Sequence, residues 1–277
     1  MTDAKKAQLW ALPNENPTNK PEFQGGLITR PFKTMKHIDT NFFVPPENIQ
    51  NGRVIFTAEE SHHLAKVLRV KVDDIVTVVD GAGKAYQVVI TRADKEHSRG
   101  EIRGETKAAP EPVIEFTLCL GAIKPKHLEW AWDACVQLGI SRLIPLHTEY
   151  GIERIRPDGK FFDRLEIVSI RAMKQSLRAV LPEVESPKTI YDIINEKRFD
   201  HLVVADENGL PNLPAKLPKL GESVALFVGP EGGFSAEERK AIADAGGVPV
   251  SLGQRRLRAE TAAIALSTIA LRWTGDL

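Results

Sequence analysis

A chain of 277 residues, 42% hydrophobic and 27% charged, is long enough to bury a sizeable core and suits one large domain or two of ordinary size. Lysine plus arginine balances aspartate plus glutamate at 37 each, so any nucleic-acid or other anionic partner must be met by a local basic surface rather than a global field. No apolar run approaches the roughly 18 residues that span a bilayer, and the N-terminus lacks the apolar core of a secretory signal. The cysteines, Cys119 and Cys135, lie in apolar segments without metal-site spacing, which argues for a reducing compartment, against a disulfide framework and against a bound metal. The expected location is the cytoplasm.

Residues 1–36 are rich in Pro, Asn and Lys without a sustained period and read as a poorly ordered extension. From 37 to 107 the pattern is of short strands around one helix. RVIF (53–56) is a candidate strand, and Thr57 with Glu60 has the spacing of a capping box before SHHLAKVLRV. DIVTVVD and KAYQVVI flank Asp80-Gly81-Ala82-Gly83, the signature of a hairpin. This predicts a small, mostly β domain.

AAPEP (108–112) reads as a linker, and residues 113–277 alternate strands with helices. VIEFTLCL is a strand, HLEWAWDACVQLGI an amphipathic helix, RLIPL a strand, and GKFFDRLEIVSIRAMKQSLRAV a long helix ended by Leu181-Pro182. HLVVAD, SVALFVG, a helix from Ser235, VPVSLG and a helix from Ala259 to Trp273 follow. Such alternation implies a parallel sheet covered by helices, an α/β class.

Ligands of open parallel sheets sit beyond the carboxyl ends of strands, where Gly229-Pro230-Glu231-Gly232-Gly233 follows SVALFV. The turn lacks the Lys-Ser/Thr of a Walker loop, and it comes too late for a dinucleotide fingerprint. A ligand gripped mainly by backbone is the better expectation, against the alternative of an ordinary tight turn. Ser235 and Glu238 supply a second capping box. Leu252-Gly253 closes the next strand, and Gln254-Arg255-Arg256-Leu257-Arg258 leads into a helix whose first turn holds Glu260. That carboxylate has a structural reading, complementing the helix dipole, beside any chemical one.

FVGPEGGFSAEE and LGQRRLRAETAA, at this spacing near the C-terminus, resemble the RsmE family of SPOUT methyltransferases. His63-Leu64-Ala65-Lys66-Val67-Leu68-Arg69 before the DG hairpin is similar to that family's PUA-like β-barrel domain, and Gln175-Ser176-Leu177-Arg178 matches its polar motif on a mid-domain helix. The resemblance covers nearly everything from Asn41 onward. It implies an N-terminal PUA-like RNA-binding domain, a C-terminal SPOUT α/β domain with a deep trefoil knot, and a homodimer. It also implies methylation of N3 of a uridine in 16S rRNA of the small ribosomal subunit, with S-adenosylmethionine as cofactor.

Cofactor contacts would then fall on Leu226, Gly229, Glu231, Gly232, Gly233, Leu252, Gly253, Leu257 and Arg258. Arg258 would stabilise charge on the uracil, and Glu260 would act as base or remain a helix-capping carboxylate. RNA contacts would fall on His63, Lys66, Arg69, Gln175 and Arg178, and Arg171, Lys174 and Arg178 would form one cationic row on a helix face. Ala134, Gln137, Arg171, Lys174 and Tyr150-Gly151 depart from the residues usual in that family, so the loops keep its pattern while the polar surface around them does not. Two other readings follow: a methyltransferase of another nucleotide, and a ribosome-assembly protein that binds RNA without transferring methyl groups.

Overall fold

A computed structural model describes residues 37–151, 153, 155, 159–211 and 218–277, and the reading of residues 1–36 lies outside them. The first sheet contains β1 (His37–Phe43), β2 (Ile49–Gln50), β3 (Arg53–Ile55), β4 (Ile75–Val79), β5 (Ala85–Arg92) and β6 (Arg99–Thr106), in the order β1-β4-β5-β6-β3-β2. β1 runs parallel to β4, and every other pairing is antiparallel. Alternation decides the faces: Val76 and Val78 are buried with Phe42, Val54, Phe56, Leu64, Val88 and Ile90, while Ile75 and Thr77 are half-buried. The β4–β5 hairpin turns on Asp80, whose Oδ1 accepts the amides of Ala82 (2.8 Å) and Lys84 (3.0 Å).

The helix of this domain is shorter than its apolar run suggests. α1 covers Ala58–His62, then widens into one π turn over 63–67, closed by the Leu68 amide on the His63 carbonyl at 3.0 Å. Thr57 caps the helix by accepting the Glu60 amide at 3.3 Å. The Glu60 carboxylate does not return to Thr57. Its Oε1 instead accepts Nζ of Lys174 at 2.5 Å and lies 3.4 Å from the Phe43 amide.

The second sheet is built from β7 (Glu115–Gly121), β8 (Arg142–His147), β9 (Glu183–Val184), β10 (Lys188–Thr189), β11 (His201–Leu210), β12 (Ser223–Val228) and β13 (Val248–Val250). Its order is β10-β8-β7-β12-β11-β13, with β9 also on β8, and all pairings are parallel. Between the strands lie α2 (Pro125–Leu138), α3 (Lys160–Gln175), α4 (Ile190–Glu196) and α5 (Ala236–Asp244), and α6 (Ala259–Thr274) closes the chain. β7 and β12 are nearly continuous apolar runs because helices cover both faces. On one face Leu118, Leu120 and Leu226 pack with Trp132, Leu165 and Leu266; on the other Cys119 and Phe227 pack with Ile193 and Ile242. Two polar contacts pin the first face: Trp132 Nε1 donates to Ser169 Oγ at 2.8 Å, and Cys135 Sγ lies 3.5 Å from Ser267 Oγ.

α3 stops at Gln175, six residues before the expected Leu181-Pro182. Leu177 turns into the left-handed region at φ 61°, and the Arg178 amide returns to the Met173 carbonyl at 3.0 Å. The released segment joins the two sheets, with Gly83 N donating to Ala179 O and Leu181 N to Gly81 O at 3.0 and 2.9 Å. No helix among the described residues is long and apolar enough to cross a membrane.

Candidate functional site

Because the second sheet is wholly parallel, the ends of β7, β8, β12 and β13 open on the same edge. The turn after β12 is made by close approach. A Cβ on Gly121, at the end of β7, would stand 2.5 Å from both N and Cδ of Pro230; one on Gly229 would stand 3.0 Å from C and Cα of Gly233. One on Gly232 would stand 2.8 Å from Cβ of Tyr150. Gly233 and Gly253 differ: both have positive φ (71° and 106°), and nothing lies within 4 Å of where a Cβ would be. Backbone thus faces open space in the loops after β12 and β13, the two strands that flank β11.

The surroundings hold this turn firmly. Ser235 Oγ accepts the Glu238 amide (3.2 Å) while Oε2 of Glu238 accepts the Ser235 amide (2.8 Å), completing the expected capping box of α5. Glu238 Oε1 also accepts the Glu149 amide at 2.9 Å, which ties the segment after β8 to the turn. Nη2 of Arg256 donates to the Glu231 carbonyl at 3.3 Å, joining the two loops singled out in the sequence. The buried Thr148 hydroxyl, just beyond β8, has no hydrogen-bond partner among the described residues.

The candidate cofactor residues fall into two groups. Gly229, Glu231, Gly232 and Gly233 form the turn, and Leu252, Gly253, Leu257 and Arg258 belong to the loop that Arg256 joins to it. Leu226 stands apart, its side chain wholly buried in the core beside Leu118. Arg258 is exposed and Glu260 is buried in the first turn of α6, with Nη1 of the arginine 4.0 Å from Oε1 of the carboxylate. His127, in the first turn of α2, brings Nδ1 to 3.1 Å from the same oxygen. Sequence reasoning passed over His127, because a lone histidine at a helix start carries no local signal.

The candidate RNA residues are more scattered than expected. Lys66 and Arg69 are exposed, and Lys66 lines an open cavity of about 510 Å³ with Asp94, Lys95 and Glu96. Gln175 is exposed at the end of α3. The His63 ring lies 5.8 Å from that of Phe42 and serves packing. Arg178 requires correction as an RNA contact. It is 3% exposed, its Nε and Nη2 are held by Glu111, and its Nη1 donates to the carbonyls of Val136 (2.7 Å) and Ile140 (3.0 Å). Lys174 is likewise committed, to Glu60, and Arg171 pairs with Asp133 at 2.9 Å, so the expected row is not one free surface. No group of His, Cys, Asp and Glu among the described residues is arranged to hold a metal.

Residues 109–271 match the profile of an RNA methyltransferase domain, and residues 56–103 that of an RNA methyltransferase PUA domain. The ribosomal RNA small subunit methyltransferase E of Synechocystis sp. is 30% identical over 232 residues, covering 82% of this chain and 75% of that protein. The protein of the same name from Rickettsia conorii is 30% identical over 223 residues, covering 78% and 88%. The chain belongs to the ribosomal RNA small subunit methyltransferase E family. A member of this family from Neisseria gonorrhoeae, solved bound to S-adenosyl methionine, matches with a TM-score of 0.73 and 27% identity over 84% of this chain and 97% of that one. A Legionella pneumophila protein solved with SAM gives 0.76 and 26%, over 84% and 96%. The architecture is accordingly that of the family: a PUA-like N-terminal domain and a SPOUT methyltransferase α/β domain.

Proposed function

We propose that the protein transfers a methyl group from S-adenosylmethionine to N3 of a uridine in 16S rRNA. The observation that carries this reading is the meeting of two glycine-bearing strand-end loops, joined by Arg256 and bordered by Arg258 and Glu260. The residues fit such a cofactor. Gly233 and Gly253 leave open the space that side chains would fill, and backbone groups there can satisfy an adenine edge while Leu252 and Leu257 cover its faces, as small-molecule sites generally arrange. Leu226 would act from beneath, as part of the floor.

The cofactor supplies an activated methyl group on a sulfonium. The protein's part is to orient the base and manage charge. N3 of neutral uracil carries a proton that must leave as the methyl arrives. Arg258, exposed beside the site, can stabilise negative charge developing on the uracil oxygens, and the Glu260 carboxylate can take the proton. Lys66 and Arg69 on the PUA-like domain would meet phosphates, with Gln175 a hydrogen-bonding contact from α3. Binding should therefore weaken steeply with salt.

The same reading takes residues 37–107 as the RNA-binding domain, 113–277 as the catalytic domain, the cytoplasm as location and a homodimer as the working form, the last supported by the exposed Trp130 on α2 and Ile167 on α3. It includes the trefoil knot that the family resemblance implies. Calorimetric titration with S-adenosylmethionine tests the site. Wild-type protein should bind, and Gly233→Val and Gly253→Val should lose binding while keeping a native circular dichroism spectrum. Undiminished binding by folded variants would move the cofactor elsewhere.

A further inference from the structure

We infer that His127 is a positioning residue for methyl transfer, holding Glu260 as the acceptor of the N3 proton. The inference rests on the reading above. His127 stands in the first turn of α2, which follows β7, and Glu260 in the first turn of α6, which follows β13. The two helices run side by side in the same direction, because Cys135 and Ser267, eight residues beyond His127 and seven beyond Glu260, also touch, at 3.5 Å. Their first turns therefore meet at the sheet edge where the loops lie.

There a nearly buried carboxylate is reached by a partly open imidazole. The Glu260 side chain is 9% exposed and that of His127 37%, with Nδ1 at 3.1 Å from Oε1; Arg258 approaches the same oxygen at 4.0 Å. A ring nitrogen at this distance from an ionised carboxylate must carry the hydrogen between them, which assigns the neutral ring its Nδ1–H tautomer. The bond engages Oε1 and restrains the side chain's rotation, so Oε2 is the oxygen presented to the base. The positive end of the α6 dipole interacts favourably with a carboxylate held in its first turn. A base fixed in place before RNA arrives needs little reorganisation during the reaction.

In the step so assisted, the N3–methyl bond forms as the methyl–sulfur bond breaks and the sulfonium becomes a neutral thioether. The N3 proton passes to Glu260, and water at the open edge removes it afterwards.

The test compares wild type with His127→Ala and His127→Asn, the latter keeping a donor near the Nδ1 position. Single-turnover methylation of small subunits should fall about 10- to 100-fold in His127→Ala, the scale expected for a misplaced reacting group. Cofactor affinity and half-saturating RNA concentration should stay within about twofold, while the melting temperature falls by several degrees as the nearly buried carboxylate loses a partner. His127→Asn should recover most of the rate. Independently of turnover, nitrogen NMR of the wild type should show His127 protonated at Nδ1, and Glu260→Ala should lose that signature. A wild-type rate in His127→Ala, a loss traced wholly to cofactor affinity, or an Nε2–H tautomer would each overturn the inference alone. Absence of product from the wild type would overturn the reading beneath it as well.

Discussion

Arg178→Ala separates two accounts of one residue. The guanidinium fills a buried position at the end of α2, donating to Glu111 and almost removed from solvent, while its Nη1 donates to the Val136 and Ile140 carbonyls. Truncation would strand one carboxylate and two carbonyls. Removing one partner of a buried pair costs about 3–5 kcal/mol, and the Glu111 side chain, 29% exposed, can recover some hydration, so the lower end applies. A loss of about 3 kcal/mol in a chain of this size lowers the melting temperature by roughly 6–12 °C. Urea unfolding should show an earlier midpoint at an unchanged slope. Arg178→Lys should fall between, since an ammonium cannot reproduce the planar fork. RNA affinity measured where the variant is still folded should keep its salt dependence. If Arg178→Ala melted with the wild type and instead lost about one unit of salt slope, the guanidinium would face RNA and the structural account would be wrong.

Gly121→Ala should displace the turn after β12, because the new methyl would stand 2.5 Å from Pro230 N. A cost of about 1–3 kcal/mol is expected from such overpacking, with calorimetric cofactor affinity falling about tenfold or more; unchanged affinity would dissociate that turn from the ligand. Burial alone would raise the Glu185 carboxyl, yet hydrogen bonds from Arg198 and Lys188 hold it below its ordinary value near 4.5. That depressed folded value contributes stability present above the ordinary value and lost as pH falls through the folded one. Glu185→Gln should thus reduce stability at neutral pH and narrow its gap from wild type under acid; a constant gap would refute the linkage. Burial pushes the Cys135 thiol up to about 12 and the Cys119 thiol higher, so a thiol reagent at mildly alkaline pH should label either only on unfolding. Rapid native labelling would contradict their burial.

Much of this fold was legible because its strands are apolar runs closed by glycine, as at SVALFVG, and because Ser235 and Glu238 announce the start of α5. The loops were legible for the same reason: Gly233 and Gly253 lie in the glycine-bearing segments that follow β12 (ending at Val228) and β13 (ending at Val250), and both take positive φ. Arg178 was misread because a cation three or four residues from its neighbours looks the same in sequence whether it meets solvent or Glu111, 67 residues away. The end of α3 was misplaced because Leu177 continues the apolar spacing while its backbone turns left-handed. The short α4 gave too few residues for a period, though Thr189 and Asp192 form a full capping box at its start. His127 and Glu260 meet only through the parallel packing of two helices distant in sequence.

The central claim is tested most directly by incubating the purified protein with S-adenosylmethionine and small subunits from a strain lacking this gene, then mapping the modified nucleosides by mass spectrometry. The account predicts a single 3-methyluridine in 16S rRNA, absent without cofactor and strongly reduced with Arg258→Ala. A methyl group on another base or on a ribose, or cofactor binding with no methylated RNA, would contradict it.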